Sequence, residues 1–197
     1  DLGLAYASRA LEVSVTAFQA HYENLISYEF YPPGLPRPYN FGAAEVQGLE
    51  TALRAHPWPW LSASGSWTWL HSRNLMDDVR YRLKALPYRP THRGVFRVEG
   101  GPAWLRAHVQ LEAQSAQFID RTETGTLEPR ALVHAGLTAQ LGPQAHAFRL
   151  SLEARNLGDA RVHDFNGYPL PGRSFHLTVG GAWEAEATTP HAVEAKE

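Results

Sequence analysis

Apolar and polar residues alternate along several long stretches of this chain. An alternation with a period of two is the pattern of a β-strand whose two faces meet different surroundings. The clearest stretch runs from Leu105 to Gln114, where small or apolar residues at odd positions alternate with polar residues at even positions. The same pattern recurs in residues 11–17, 60–68, 133–141, 148–155 and 175–183. The chain is therefore predicted to be all-β, with antiparallel strands.

The predicted strands are long for a globular protein. We predict about nine of them, over residues 1–8, 11–30, 41–56, 60–72, 88–100, 103–119, 130–141, 146–157 and 173–184. Several exceed the roughly 5–6 residues of ordinary strands and reach the roughly 9–11 residues that a tilted strand needs to cross a bilayer. No stretch approaches the roughly 20 apolar residues of a membrane-spanning helix. These lengths favour a transmembrane β-barrel.

The links between the predicted strands alternate in length. Short links are predicted at residues 9–10, 57–59, 100–102 and 142–145, and long links at residues 31–40, 73–87, 120–129 and 158–172. Barrels of bacterial outer membranes have short periplasmic turns and longer extracellular loops, so the alternation is expected of them. A soluble sandwich has no reason to sort its links in this way.

Two further features of the strands bear on the barrel. Aromatic residues cluster near the strand ends, as in the two interfacial girdles of membrane barrels. Those residues are Tyr28, Phe30, Trp58, Trp60, Trp67, Trp69, Trp104, Phe118 and Trp183. In the predicted strand 41–56, the apolar face switches near Gln47 and Gly48, which predicts a β-bulge there.

The chain is expected to be the C-terminal part of a larger barrel. It opens at Asp1 inside an alternating pattern, without an initiator Met or an apolar signal core. Nine is an odd number, whereas bacterial single-chain barrels have even strand numbers and must close in lipid. We therefore assign residues 1–184 to the C-terminal portion of a barrel. The small, polar and charged residues 185–197 are predicted to be a disordered tail.

The last predicted strand resembles the C-terminal assembly signal of outer-membrane proteins, which ends in an aromatic residue. Its outward-facing series is Phe175, Leu177, Val179, Gly181 and Trp183. One feature departs from that signal, because residues 184–197 follow the aromatic residue.

Three segments resemble the TonB-dependent receptors. Asn40 to Glu50 (NFGAAEVQGLE) is similar to a strand of that family, Leu86 to Arg93 (LPYRPTHR) to a strand entry, and Arg155 to Phe175 (RNLGDARVHDFNGYPLPGRSF) to its closing hairpin. The resemblance covers roughly residues 1–183. It departs at Gly158, where a bulkier residue is usual, and at Val162, where an aromatic residue is common.

The resemblance implies a barrel of about 22 strands with an N-terminal plug. Such receptors import siderophores, cobalamin or similar scarce nutrients across the bacterial outer membrane, powered through the TonB complex. The implied partners are outer-membrane lipid, the plug and the remaining strands, and a small-molecule metal chelate or cobalamin as ligand. The TonB complex would be contacted through the N-terminal region, which this chain does not contain.

Candidate contact residues fall into two groups. A polar row expected to face the lumen consists of Arg106, His108, Gln110, Glu112 and Gln114. Ligand contacts are expected in the long loops and on the upper strand walls, because loops on a rigid scaffold carry function. Those candidates are Tyr31, Tyr39, Trp69, His71, Arg73, Asn74, Arg80, Tyr81, Arg82, Phe165, Asn166 and Tyr168. Aromatic rings could stack on planar parts of a ligand, and Arg80 and Arg82 could pair with an anionic chelate.

Other functions find less support in the sequence. The chain has no cysteine, and His71, His108, His134 and His176 lie on different predicted strands, so no metal site or cofactor is expected. There is no G-x-S-x-G elbow, and no catalytic residue is assigned. A net charge of -2 gives no reason to expect nucleic acid. The alternatives that stay open are a passive outer-membrane barrel, such as a porin or adhesin, and a soluble all-β binding module.

Overall fold

The computed structural model describes residues 1–29, 37–40, 42–142 and 147–181. Their strands are β1 (Leu2–Ala7), β2 (Leu11–Glu23), β3 (Ile26–Glu29), β4 (Arg37–Asn40), β5 (Ala43–Trp58), β6 (Leu61–Asn74), β7 (His92–Gly100), β8 (Leu105–Gln114), β9 (Gln117–Phe118), β10 (Thr126–Leu127), β11 (Arg130–Leu141), β12 (Phe148–Arg155), β13 (His163–Phe165), β14 (Tyr168–Pro169) and β15 (Ser174–Gly181). In this part of the chain, no helix is long and apolar enough to cross a membrane.

The long strands form one antiparallel sheet, which confirms the predicted fold class. Nine strands of the described residues pair in the order β1-β2-β5-β6-β7-β8-β11-β12-β15, so each pairs with its neighbours along the chain. The shorter strands form three hairpins, β3–β4, β9–β10 and β13–β14, each lying within a long link between two strands of the sheet. Strands β1 and β15 form the two edges, and the sheet is open between them.

The links alternate in length as the sequence predicts. Short turns join β1 to β2, β5 to β6, β7 to β8 and β11 to β12. Long links join β2 to β5, β6 to β7, β8 to β11 and β12 to β15, and they span residues 24–42, 75–91, 115–129 and 156–173. All long links therefore lie at one end of the sheet, called here the loop end, and all short turns lie at the other, the turn end.

The two faces of the sheet differ in polarity. On β8, Val109 and Leu111 are exposed on one face, the outer face, while Gln110 and Glu112 lie less exposed on the opposite, inner face. The same face is apolar on the neighbouring strands, because Leu111 lies beside Phe96 of β7 and Val133 of β11. The outer face is thus a continuous apolar surface.

The inner face is concave. A hollow of about 540 Å³ is lined by residues from β1, β2, β5, β6, β7 and β8 together. Most of these residues are small or polar and lie on the inner face, among them Ser14, Ser64, Ser66 and Gln110. A sheet can bring six strands around one hollow only when it curves toward that side, as the wall of a barrel does.

The bulge predicted near Gln47 and Gly48 is wrong. Strand β5 pairs in continuous register with β2 from Ala43 to Ala55, and its only irregularity against β6 lies between Ala55 and Trp58. The apolar residues of β5 change from one face to the other because the surroundings of the strand change along its length. The backbone of the strand stays regular. Near the loop end the outer face becomes polar, and the inner face packs beneath the long links.

The apolar surface ends at the same level on three neighbouring strands. One cross-strand row on the outer face consists of Ala17, Leu49 and Trp69. The next row toward the loop end consists of Gln19, Gln47 and His71, and the one after that of His21, Glu45 and Arg73. At the turn end, the exposed rings of Trp58 and Trp60 stack with centroids 5.5 Å apart. The outer face is therefore an apolar band with polar rows beyond it at the loop end and aromatic rings at the turn end, as at membrane interfaces.

Candidate functional site

The long link 75–91 folds over the inner face at the loop end. Leu86 and Ala44 are buried and form a small core, against which Leu25, Tyr39 and Val46 pack. The backbone N–H of Leu86 donates to Oγ of Ser72, a buried inner-face residue, at 3.1 Å. The loop end of the concave face is consequently covered by ordered chain rather than left open.

An arginine joins three of the long links. The guanidinium of Arg121, from link 115–129, lies 3.7 Å from the ring centroid of Tyr39 and 4.4 Å from that of Tyr81. Arg80 adds a second cation, 5.0 Å from the centroid of Tyr81. Such contacts are electrostatic, since a cation is attracted to the negative face of a ring. Tyr39 and Tyr81 belong to links 24–42 and 75–91, so these links meet at Arg121.

A carboxylate in each of two links holds the local turn. Asp78 accepts hydrogen bonds from the side chain of Arg80 at 2.7 and 3.1 Å and from its backbone N–H at 3.0 Å, and these contacts lower the pKa of Asp78 to about 2. Asp120 is partly buried, which favours its neutral form. Hydrogen bonds from Thr122, Gly125 and Thr124 outweigh that burial and lower the pKa of Asp120 to about 2. Both groups are thus carboxylates at neutral pH.

Further contacts tie link 75–91 to link 115–129. The ammonium group of Lys84 donates to the backbone carbonyl of Thr122 at 2.5 Å. The backbone N–H of Ala85 donates to the carboxylate of Glu123 at 2.7 Å, and that of Tyr88 donates to the carbonyl of Phe118 at 2.8 Å.

Link 156–173 joins the same layer. The rings of Tyr88 and Phe165 lie with centroids 4.9 Å apart. The side-chain amide of Gln117 donates to the carbonyl of Asp164 at 3.3 Å, and Arg130 of the inner face pairs with the Asp164 carboxylate at 2.8 Å. The four long links therefore form one connected layer above the inner face, called here the loop layer.

The structure brings together some of the predicted ligand residues and separates others. Within the loop layer lie Tyr39, Arg80, Tyr81, Arg82, Phe165, Asn166 and Tyr168. Trp69, His71 and Arg73 instead point to the outer face, away from the layer, and Arg73 pairs there with Glu45 at 2.8 Å. Tyr31 lies outside the described residues.

Asn74 is fully buried at the end of β6. Its side-chain oxygen accepts the backbone N–H of Met76 at 2.8 Å, and its backbone bonds Leu83 and Lys84. These contacts hold the two ends of a tight loop together, so Asn74 is placed to anchor link 75–91. Sequence reasoning missed Arg121 because its ring partners Tyr39 and Tyr81 lie far from it along the chain. Asp78 and Asp120 were also missed, although their hydrogen-bond partners lie within five residues of them.

The predicted lumen row lies along the inner face of β8. Arg106 donates to the carbonyls of Trp60 and Gly101, both at 3.0 Å, and thereby fastens the turn end. The other members meet polar neighbours: the Gln110 amide donates to Glu112 at 2.9 Å, and Gln114 accepts from Arg130 at 3.2 Å. His108 lies across Gly136 of β11. This row is therefore a polar wall in which Gln110 and Glu112 bond to each other, while Arg106 and Gln114 bond to groups outside the row.

The predicted assembly strand is the edge strand β15. Its outward residues Phe175, Leu177 and Val179 are all more than half exposed. Gly181 ends the strand, whereas Trp183 and the predicted tail 185–197 lie outside the described residues. Among the described residues there is no group of three or more His, Asp or Glu side chains that could hold a metal ion.

The sequence of residues 1–157 matches the family described as TonB dependent receptor-like, beta-barrel. The chain belongs to this family. Its members are receptors and transporters of the bacterial outer membrane rather than enzymes. The assignment confirms the resemblance on which the sequence analysis relied, and it favours the receptor hypothesis over a passive barrel or a soluble module. No curated protein sequence matches the chain.

Solved structures of TonB-dependent receptors share the fold. The ferric preacinetobactin receptor BauA from Acinetobacter baumannii superposes with a TM-score of 0.75 at 17% identity, over 91% of this chain and 28% of that chain. The ferric citrate transporter FecA gives 0.74 at 21% identity, over 91% and 30%. A ferric enterobactin receptor mutant (PfeA) from Pseudomonas aeruginosa, in complex with enterobactin, gives 0.68 at 20% identity, over 91% and 30%. The chain thus spans less than a third of the length of each of these three receptors.

Proposed function

We propose that this chain forms part of the transmembrane barrel of an outer-membrane receptor that imports a scarce nutrient in a TonB-dependent manner. The proposal rests on the difference between the two faces of the sheet, in a chain that belongs to this family. Its outer face is an apolar band, and its inner face is concave and polar. A sheet in lipid must pair all its backbone groups, so the open edges β1 and β15 call for further strands that close the barrel.

The orientation follows from the links. Short turns of outer-membrane barrels face the periplasm and long loops face the outside. The loop layer would then lie on the extracellular side, where a nutrient arrives. The concave inner face would enclose a plug, and the TonB complex would act through that plug, because this chain supplies only wall and loops.

The substrate class that we favour is an anionic ferric chelate such as a siderophore, with cobalamin as the other nutrient of this kind. BauA, FecA and PfeA are described as receptors or transporters for ferric preacinetobactin, ferric citrate and ferric enterobactin. The loop layer offers matching chemistry: cations beside rings, at Arg80, Arg121, Tyr39 and Tyr81. Arginine binds carboxylate and other oxygen-rich anions with two parallel hydrogen bonds, and rings stack on planar ligands.

Arg82 is the arginine that we expect to meet the ligand first. Arg80 already bonds Asp78, whereas the side chain of Arg82 is exposed in the same link. Losing one charge-assisted hydrogen bond costs about 1.5–3 kcal/mol, which is roughly a tenfold to hundredfold loss of affinity.

Uptake of radioactive iron tests the proposal. The gene for the full-length protein is deleted and then restored as the natural protein, as Arg82→Ala, or as the control Arg9→Ala, which removes an exposed arginine at the turn end. A panel of ferric chelates is supplied with and without a working TonB complex.

We expect the natural protein and Arg9→Ala to take up one of the chelates only when TonB works, and Arg82→Ala to need a higher chelate concentration. Uptake that continues without TonB would identify a passive barrel. If no iron chelate is taken up and cobalamin is taken up only when TonB works, the proposed substrate class is wrong and the proposed receptor function stands.

A further inference from the structure

Asn156, the first residue of link 156–173, holds the two ends of that link together. Its side-chain oxygen accepts the backbone N–H of Ala160 at 2.9 Å, and its amide group donates to the carbonyls of Ala160 at 3.0 Å and Pro171 at 3.2 Å. Asn156 is buried, with a φ of 49° in the left-handed region that asparagine tolerates. Asn156, Ala160 and Pro171 are called here the neck of the link.

A histidine of β11 fastens the neck to the inner face. The backbone N–H of Asn156 donates to Nδ1 of His134 at 3.2 Å. A neutral imidazole has one nitrogen that donates and one that accepts, so this bond places the single ring proton on Nε2. The side chain of His134 is 14% exposed and Asn156 is 3% exposed. The bond is therefore largely shielded from water.

Protonation of His134 removes the acceptor from this bond. The added proton occupies the lone pair of Nδ1, and the resulting imidazolium has two N–H donors and no acceptor. The N–H of Nδ1 then points at the N–H of Asn156, and a buried backbone donor is left without a partner, which is unfavourable. An imidazole changes its charge between about pH 5 and pH 8, so this change belongs to a physiological range.

The charged groups that face His134 include a carboxylate that stabilises the protonated ring. Glu112 of β8 lies 3.6 Å from Nε2, on the side of the ring opposite the neck. On β12, Arg155 follows Ala154, which lies opposite Ala135 of β11. The remaining charges are paired among themselves, as Arg155–Glu153 at 2.9 Å on β12 and Arg130–Asp164 at 2.8 Å between β11 and the link.

We propose that His134 is a pH-sensitive switch for link 156–173. The neutral ring holds the neck against the inner face, and the protonated ring releases it toward Glu112. The contact between the rings of Phe165 and Tyr88 does not involve the neck, so release loosens the ends of the link and leaves its tip in the loop layer. The switch goes beyond the proposed function. In the proposed orientation, it makes the order of this link depend on the acidity outside the cell.

Amide exchange of the full-length protein in detergent, at about pH 8 and about pH 5, tests the switch. His134→Asn puts a side-chain oxygen close to the position of Nδ1 and takes up no proton, so it keeps an acceptor at both pH values. His134→Ala has no acceptor at either. The matched control is His163→Asn, which removes an exposed histidine of the link itself. Proteins are compared at the same pH, because the intrinsic rate of exchange varies with pH.

At the higher pH, we expect His134→Ala to exchange the amides of residues 156–160 about two- to tenfold faster than the other three proteins, as for one lost hydrogen bond. At the lower pH, the natural protein and His163→Asn should exchange as fast as His134→Ala, and only His134→Asn should stay slow.

Equal exchange in the natural protein and His134→Asn at the lower pH would overturn the switch. Slow exchange in His163→Asn at that pH would also overturn it, because His163 would then be the group that takes up the proton. Neither result depends on nutrient uptake, so a failure of the switch leaves the proposed receptor function untouched.

Discussion

At the scale of single residues, several glycines of the sheet make room for a ring on the neighbouring strand. A β-carbon on Gly48 would meet the ring of Phe18 on β2 and the carbonyl oxygen of Trp69 on β6. The same relation joins Gly65 to Phe96 and Gly136 to His108. A ring lying over a glycine shields backbone that would otherwise be bare, and this pairing fixes the register between strands.

Gly48→Ala should destabilise the barrel, because the new methyl group collides with backbone that cannot move away. Overpacking of this kind costs about 1–3 kcal/mol. The matched control is Gly158→Ala in link 156–173, since apart from its chain neighbours no atom of the described residues lies within 4 Å of a β-carbon at Gly158. Unfolding of the full-length protein in urea, followed by the heat-dependent shift of its band in gels, compares the two. A Gly48→Ala protein as stable as the natural one would contradict the close approach.

Asp120 makes the order of link 115–129 depend on pH. Its pKa of about 2 in the folded protein lies below the usual value of about 4. A carboxyl group whose pKa is lowered by folding adds stability that is fully present above its unfolded pKa and is lost as the pH falls through its folded pKa. The link should therefore stay ordered from neutral pH down to about pH 4 and loosen toward pH 2.

Asp120→Asn should loosen the link already at neutral pH, because an amide has one acceptor oxygen in place of two. Trypsin cleavage after Arg121 measures this, with Asp77→Asn as the control at an exposed aspartate of link 75–91. We expect faster cleavage at Arg121 in Asp120→Asn only. Unchanged cleavage would show that the hydrogen bonds to Asp120 do not hold the link.

At the scale of elements, the sequence predicted the strands better than their surroundings. All nine long strands and the alternation of links were foreseen, because a period of two depends only on neighbouring residues. The error at Gln47 and Gly48 arose from assuming one environment along the whole of β5. Near the loop end, outward residues meet water and inward residues meet the loop layer, so the hydrophobic pattern changes sides while the backbone stays regular.

The contacts within the loop layer were harder to predict from the sequence than the strands. Tyr39, Arg80 and Tyr81 were chosen for their chemistry, but nothing in the sequence distinguishes Arg121 from the other arginines. Its importance comes from two rings that are about 80 and 40 residues away along the chain. Conversely, His71 and Arg73 were expected near a ligand because they lie at the loop end of the predicted strand 60–72, and the phase of β6 turns them to the outer face.

Arg121→Ala should loosen the contact between links 24–42 and 75–91, which would then be held by the packing of Leu25 and Tyr39 against Leu86. Each exposed contact between a cation and a ring contributes about 0.5–1 kcal/mol, and Lys84 and Glu123 still join link 75–91 to link 115–129. We expect faster amide exchange in both links around Tyr39 and Tyr81, with the strands unaffected. Arg89→Ala, at an exposed arginine of link 75–91, is the control. Faster exchange in only one link would mean that Arg121 does not join them.

At the scale of the whole molecule, the proposed location predicts that the outer face meets hydrocarbon and the inner face meets water. Many large apolar side chains are exposed on the outer face, among them Leu137, Leu152, Phe175 and Leu177, on three adjacent strands. A soluble protein rarely leaves such a continuous apolar patch uncovered. The inner face carries the ion pairs Arg97–Glu99 and Arg54–Glu12 and the polar row of β8, which a water-filled lumen or a polar plug would accept.

A single added charge on either side of β8 distinguishes the two faces. Val109 and Gln110 are adjacent, near the middle of the strand, and point to the outer and inner face respectively. Val109→Arg puts a charge into the middle of the apolar band and should destabilise the barrel in bilayers by about 2–4 kcal/mol, whereas Gln110→Arg on the polar wall should cost much less. Reversible unfolding of the full-length protein in phospholipid vesicles measures both. In a thinner bilayer the penalty at Val109 should shrink, since the charge then lies nearer to water. Equal penalties for the two variants, unchanged by bilayer thickness, would mean that the outer face does not meet lipid.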